Sequence, residues 1–541
     1  MGTVFFILGV VITVLLVFGV FMSAVFLTSQ ILDEEVADYS FIPTVLVCLC
    51  WLLVMIFEVT SLFSLFWWPI LLFIVAFIGF HVKNKCDDVE EPTDTDPFYL
   101  LDERQIFLCW TVLTFAALRI FRSIVAPTLS LDLLNTVLPQ ARSLVQAGGR
   151  VEHCEGISIL TSWSLIGVSE PVLTGFIGFA ALFFFIIAAY GVPRASGAES
   201  ESSMMTAMAL ACAPFMGTML TANPQAILAS TFFLAGVIIL GRYPEGTVTT
   251  AGFAGAAFGL SALCLPEAAP SLLLALFLLA TCCIPCRKKA IAFLLLGAVV
   301  FWPTFISSFN QASLLKGPTL SNKETVAWLF LWPYSDWSTH LNIGPGGLIL
   351  LILGLMGLKK MAAERENHPR LFLLVGMALI SLLHFFYPGS HLRTLPYIKR
   401  AAFWLAPGLC AIMVAGAKIE DERADYAREV ALILNLVYFI PRGFGWLDLW
   451  PIVLLVSLPF LSLTILPAII RKIGASYSDW WSDVTTFVLI VILIALLPAL
   501  RASYRQEYVN SATSYERPLF DTIPLDRQSM GLLKGINQAK P

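Results

Sequence analysis

Apolar runs of about 20 residues, long enough for a helix to cross the hydrocarbon core of a bilayer, recur along almost the whole chain, and no other feature limits its fold as tightly. In lipid only helices and closed barrels satisfy their own backbone hydrogen bonds. A barrel reads as short alternating strands, whereas these runs are continuous, as from Val4 to Leu27. The expectation is an all-α, polytopic integral membrane protein with the lipid bilayer as its solvent. Composition agrees: 58% of the residues are hydrophobic and 13% charged, with mean hydropathy +0.83, against about 25% charged in soluble domains.

The first run is too long for a secretory signal and lacks a basic flank, so it reads as a retained anchor; Phe6 stands where N-myristoylation needs Ser or Thr. Two runs fill Phe41 to Phe80, with a break expected between Glu58 and Trp68, so residues 1–82 read as about 3 N-terminal helices. An acidic cytoplasmic linker, 83–104, follows; its Asp94-Thr-Asp96 has the form of a metal and nucleotide-sugar motif but reads as part of a solvated linker. Roughly 13 helices are expected after it: 105–127, 171–190, 204–222, 224–241, 248–264, 268–285, 290–309, 344–358, 371–387, 401–417, 429–441, 449–470 and 482–500. The body is thus 105–417, the C-terminal helices 418–500 and the polar tail 501–541.

Basic residues orient the helices. Arg194, Arg242, Arg287 to Lys289, Lys359, Lys360, Arg365, Lys418, Arg423, Arg428, Arg471 and Lys472 fall in alternate connections, which the positive-inside rule makes cytoplasmic. Loops 128–170 and 310–343, the turn 388–400 and the tail are then extracytoplasmic. The cysteines mostly sit inside apolar runs and read as packing residues; so does Cys283-Ile-Pro-Cys286, which ends a helix and has no second such pair or nearby His. Nothing points to nucleic acid. The chain shows neither a solenoid repeat nor the paired broken helices of many transporters.

In the first outer loop Leu133, Leu134, Val137, Leu138, Ala141, Leu144 and Val145 recur at helical spacing, with Asn135, Gln140, Arg142 and Ser143 on the other sides. This is an amphipathic helix for the interface. Asp132 heads it and Gly148-Gly149 ends it. A carboxylate there is held ionised by free N–H groups and the helix dipole, which serves a helix cap and a catalytic base equally.

The string Leu131-Asp132-Leu-Leu-Asn-Thr-Val-Leu-Pro139-Gln-Ala-Arg-Ser-Leu-Val-Gln-Ala-Gly148, directly after an apolar run, resembles the first outer loop of GT-C superfamily glycosyltransferases. The likeness is to protein O-mannosyltransferases, lipid A aminoarabinose transferases and their uncharacterised bacterial relatives. Further landmarks follow in order: Met219-Leu-Thr-Ala-Asn223-Pro, Phe305-Ile-Ser-Ser-Phe-Asn310 leading to Lys316-Gly317-Pro318, and His391-Leu-Arg393-Thr-Leu-Pro396. The resemblance covers about 105–417 and implies transfer of a sugar from a polyprenyl-phosphate donor to an acceptor at the outer membrane face. It implies Asp132 as the base for the acceptor. Arg393, Lys399 and Arg400, with Lys316, would meet the departing phosphate. Glu155, His153, Asn223 and Glu267 would orient the acceptor or hold a divalent cation, Asn223 occupying the family's short polar outer turn. One departure stands out: Glu267 replaces a lysine frequent in the family's turn after Gly-Leu-Ala, here Gly259-Leu-Ser-Ala. That keeps a catalytically inactive scaffold among the readings, beside a transporter or flippase of a lipid-linked or small polar substrate. The absence of Asn-x-Ser/Thr sites fits a bacterial inner membrane.

Overall fold

The computed structural model describes residues 2–31, 38–63, 137–146, 156–165, 175–213, 215–216, 224–241, 248–265, 268–281, 287–301, 343–386 and 406–443. Among these the regular elements are helices, with no strand, and the fold is all-α. The helices expected over 105–127, 449–470 and 482–500, the linker 83–104, residues 310–342, Cys283 to Cys286 and the tail lie outside the described residues.

In chain order the helices are α1 (Gly2–Ile31), α2 (Asp38–Phe63), α3 (Leu138–Gln146), α4 (Gly156–Leu165), α5 (Gly175–Ala195), α6 (Ser200–Ala211), α7 (Pro224–Leu240) and α8 (Val248–Cys264). Then come α9 (Pro270–Thr281), α10 (Arg287–Gly297, extended by a 3₁₀ turn to Phe301), α11 (Gly344–Ala363), α12 (His368–Phe386), α13 (Ala406–Lys418) and α14 (Glu422–Gly443). Among the described residues two stretches are long and apolar enough to cross a membrane, Tyr39–Ile56 in α2 and Gly344–Ala363 in α11.

Several helices begin or end beyond the apolar runs that predict them, because charge at a helix end is favourable when its sign opposes the dipole. α14 starts at Glu422 rather than at 429, with Glu422 and Asp425 in its first turn and the Asp421 carbonyl accepting from the Ala424 and Asp425 N–H groups. α11 runs past Lys359 and Lys360, cations in its last turns. α2 continues past Glu58 to Phe63, and the rest of the expected break, 64–68, lies outside the described residues. Within the expected outer loop the structure adds a helix, α4, and forms the amphipathic one, α3, over Leu138–Gln146, with residues 132–136 outside the described ones. The apolar face of α3 is buried as its pattern predicts, at Leu138, Ala141 and Leu144, but it packs on α4 rather than standing alone. Ser158 of α4 donates to Gln140 at 2.8 Å, and Trp163 Nε1 donates to the Leu53 carbonyl of α2 at 3.0 Å, tying the pair to the body.

The core runs through α2, α5, α7, α8 and α10 on one side and α11, α13 and α14 on the other. α6 lies between them with every residue buried except Glu201. A serine-rich helix tolerates that position because Ser203 and Thr206 return their hydroxyls to the carbonyls of Glu199 and Ser202. Asn435 of α14 then reaches across to the Ala209 carbonyl at 2.8 Å.

Two crossings bring backbone against backbone. α8 meets α10 at Gly255 and Gly297, and α11 meets α13 at Gly354 and Gly357. A Cβ on Gly357 would collide with the Ala415 carbonyl, which cannot rotate aside. Gly357→Ala is therefore expected to lose about 2–3 kcal/mol, the upper part of the overpacking range. Gly252→Ala is the control: its Cβ would meet Phe293 at an ordinary 3.5 Å, so the change should be neutral or favourable by about 0.5–1 kcal/mol. Unfolding of the purified variants followed by circular dichroism measures both, and equal stability of the two would refute the backbone-contact argument.

Candidate functional site

Most of the described charge collects at one end of the bundle. α5 finishes there in a Schellman turn: Gly197 adopts φ 80°, Ala198 N–H bonds to the Pro193 carbonyl at 2.9 Å and Gly197 N–H to that of Arg194 at 3.0 Å. Arg194 donates to the Ala198 carbonyl at 2.8 Å and lies over the Tyr39 ring at 5.9 Å, which places the start of α2 at the same end. The Ser196 carbonyl left over by the turn accepts from Lys418 at 2.7 Å and from Asn367 at 3.1 Å. Lys418 also pairs with Glu364 at 3.1 Å.

Arg428 is the largest fully buried side chain described, at 0% exposure. It reaches from the second turn of α14 to the carbonyls of Gly416 and Ile419, which end α13, and to Asp425 and the Ser202 hydroxyl. Burial pulls its guanidinium below the ordinary arginine value and Asp425 pulls it back. It stays charged near neutral pH. Cations at helix C-termini are favoured by the dipole, and Lys418 and Arg428 use that preference to bind α5, α6, α13 and α14 together. With both side chains committed to carbonyls and carboxylates, the cluster is a clasp between helix ends rather than a substrate site. The sequence puts Lys418 and Arg428 among the basic residues of the cytoplasmic connections, and the one signal for burial is their position flanking Glu420-Asp421-Glu422, where a helix start follows a helix stop.

The opposite end is defined by what leads away from the clasp. α7 finishes at the clasp end, where Gly241 packs on Arg370, so Pro224 lies at the far end. Phe277 near the finish of α9 stacks on Phe372 near the start of α12, centroids 5.7 Å apart, which puts Pro270 and Phe386 at the far end too. Gly175 and Ala406 follow from Arg194 and Lys418, which close their helices at the clasp.

No family model, curated protein or solved structure matches the chain.

Asp132, His153, Glu155, Asn223, Glu267, Lys316, Arg393, Lys399 and Arg400 all lie outside the described residues. Their described neighbours are Gly156 after Glu155, Pro224 after Asn223 and Ala268 after Glu267. Among the described residues no three His, Cys, Asp or Glu side chains group as a metal ion requires. Cys48, Cys50, Cys212, Cys264 and Cys410 are buried and form no disulfide. His368 is exposed and contacts the Ala362 carbonyl at 3.1 Å.

Proposed function

We propose that the chain is a multi-pass membrane protein with a GT-C-like core, transferring a sugar from a polyprenyl-phosphate donor to an acceptor at the extracytoplasmic face of a bacterial inner membrane. The observation that carries the membrane reading is the layering of charge. Asp, Glu, Lys and Arg on the described residues stand at the clasp end, except Glu58, Arg142 and Arg442. Glu58 and Arg442 each lie twenty residues beyond the first residue of their helices at that end, about 30 Å away. That is the thickness of a hydrocarbon core. The stretches between, such as 224–241, 248–265, 344–358 and 406–417, carry no Asp, Glu, Lys or Arg.

The outer surface of those stretches is apolar. Leu273, Leu296, Ile352 and Leu383 are each at least 60% exposed, on four different helices. Water does not tolerate such a belt; lipid requires it, and it excludes charge from the same depth. The clasp end, with its basic connections, is the cytoplasmic one.

Support for sugar transfer comes from the order of the outer segments. Gly175, Pro224, Pro270, Phe386 and Ala406 stand at the end away from the clasp, beside the segments that hold Asn223, Glu267 and Arg393. Asp132 would accept the acceptor proton there, and Arg393, Lys399, Arg400 and Lys316 would neutralise the departing phosphate.

The test is sidedness. In a background without native cysteines, single cysteines at 132 and 393 should react with a membrane-impermeant maleimide in intact cells. A cysteine at 360 should react only after permeabilisation. Labelling of 132 and 393 from opposite sides would end the proposal.

A further inference from the structure

One cluster of cations at the clasp end takes no part in the clasp. Arg194, Lys360, Lys418 and Arg428 are each satisfied by carbonyls or carboxylates. Arg287, Lys288 and Lys289, the first turn of α10, are instead all exposed. Arg287 donates to the Ala280 carbonyl at 2.7 Å, closing the α9–α10 hairpin. Among the described residues Lys288 and Lys289 have no hydrogen-bond or ion-pair partner. No Asp or Glu occurs from Thr281 to Phe301. Arg365 has Glu364 and Glu366 beside it and Arg423 has Glu422, and the exposed Lys359 stands next to Lys360, which pairs with Glu420; among the described residues only at 287–289 do three exposed cations run together.

Helix stability does not account for the cluster, since cations in a first turn oppose the dipole. Its surroundings do. Leu273 and Phe277 on α9 and Phe293, Leu295 and Leu296 on α10 are exposed along the same hairpin. Phe293 begins this apolar surface six residues beyond Arg287, about 9 Å deeper along the axis. An uncompensated triplet of positive charge at the rim of an apolar face complements one partner: a headgroup phosphate above acyl chains.

We infer that Arg287, Lys288 and Lys289 bind the phosphates of anionic phospholipids in the cytoplasmic leaflet and so fix the depth of the α9–α10 hairpin. The inference rests on the membrane-spanning reading above. Arg287 and the two lysines share the charge, but the lysines can be changed without touching the hairpin bond.

Native mass spectrometry of the purified full chain with added dioleoylphosphatidylglycerol tests it. K288Q/K289Q should retain the lipid on the order of tenfold less than wild type, with dioleoylphosphatidylcholine retention unchanged and the same melting temperature in lipid-free detergent. Millimolar inorganic phosphate should not displace the lipid from wild type. Equal phosphatidylglycerol retention by the variant would overturn the inference, and displacement by inorganic phosphate would reassign the cluster to soluble anions. Carbonate extraction separates the two levels of argument. Release of wild type from membranes would overturn the membrane reading and this inference together, whereas an embedded chain with unchanged retention would overturn the lipid contact alone.

Discussion

An Asp132→Asn variant is expected to insert normally and bind the lipid-linked donor, yet transfer sugar about 10²–10⁴-fold more slowly than wild type. The substitution separates the two roles that a carboxylate at the head of the outer-loop segment can play. Asn caps a helix about as well as Asp, so a residue that only caps would leave turnover and folding intact. A general base must accept a proton in the transition state, and an amide has no useful basicity. Sugar transfer measured in liposomes at matched expression gives the answer. Wild-type turnover would leave Asp132 a cap and move the base to Glu155 or Glu267.

Arg428→Ala is expected to lower stability by about 3 kcal/mol, more than any other described side-chain truncation at the clasp. Removing one member of a buried ion pair typically costs about 3–5 kcal/mol, because the partner's charge is stranded. Here the partner, Asp425, has a side chain 37% exposed and can rehydrate, which pulls the loss toward the lower bound. What stays buried are the Gly416 carbonyl and the Ser202 hydroxyl, which lose a charged donor, while the half-buried Ile419 carbonyl loses one as well. Arg428→Lys should recover part of the loss, since a point charge keeps the attraction to Asp425 but lacks the fork that spans two carbonyls. Denaturant unfolding in detergent measures both variants, and an Ala variant as stable as wild type would show the clasp to be ornamental.

The helical class and the gathering of basic connections were legible in the sequence because both depend on patterns longer than any one contact. Apolar runs alternate with Arg194, Lys360 and Lys418, and those residues do share one end of the bundle. Helix ends were less legible: an apolar run stops at its first charge, whereas α14 begins with Glu422, since acid in a first turn is favourable. α4 was invisible for a different reason. Its ten residues intersperse Ser158, Thr161, Ser162 and Ser164 with Ile157, Ile159 and Trp163, and they are buried on nearly every side, so no face of the helix stands out as polar. The depth of Arg428 was equally hidden, because burial of a cation depends on carbonyls supplied by α13 and a hydroxyl supplied by α6, 226 residues away in the chain. The nine site residues proposed from resemblance, Asp132 and Arg393 foremost, belong to segments beyond the described helices, and sidedness labelling and the Asn variant carry their test.

The layering of charge has an electrical corollary. A membrane potential does about 2.3 kcal/mol of work on each elementary charge carried through 100 mV. The stretches 224–241, 248–265 and 406–417 carry no Asp, Glu, Lys or Arg, so tilting or sliding of α7, α8 or the body of α13 moves almost no charge through the field. On the proposed function, rearrangements of these helices would then proceed at the same rate in energised and de-energised cells, and voltage would not set the pace of sugar transfer.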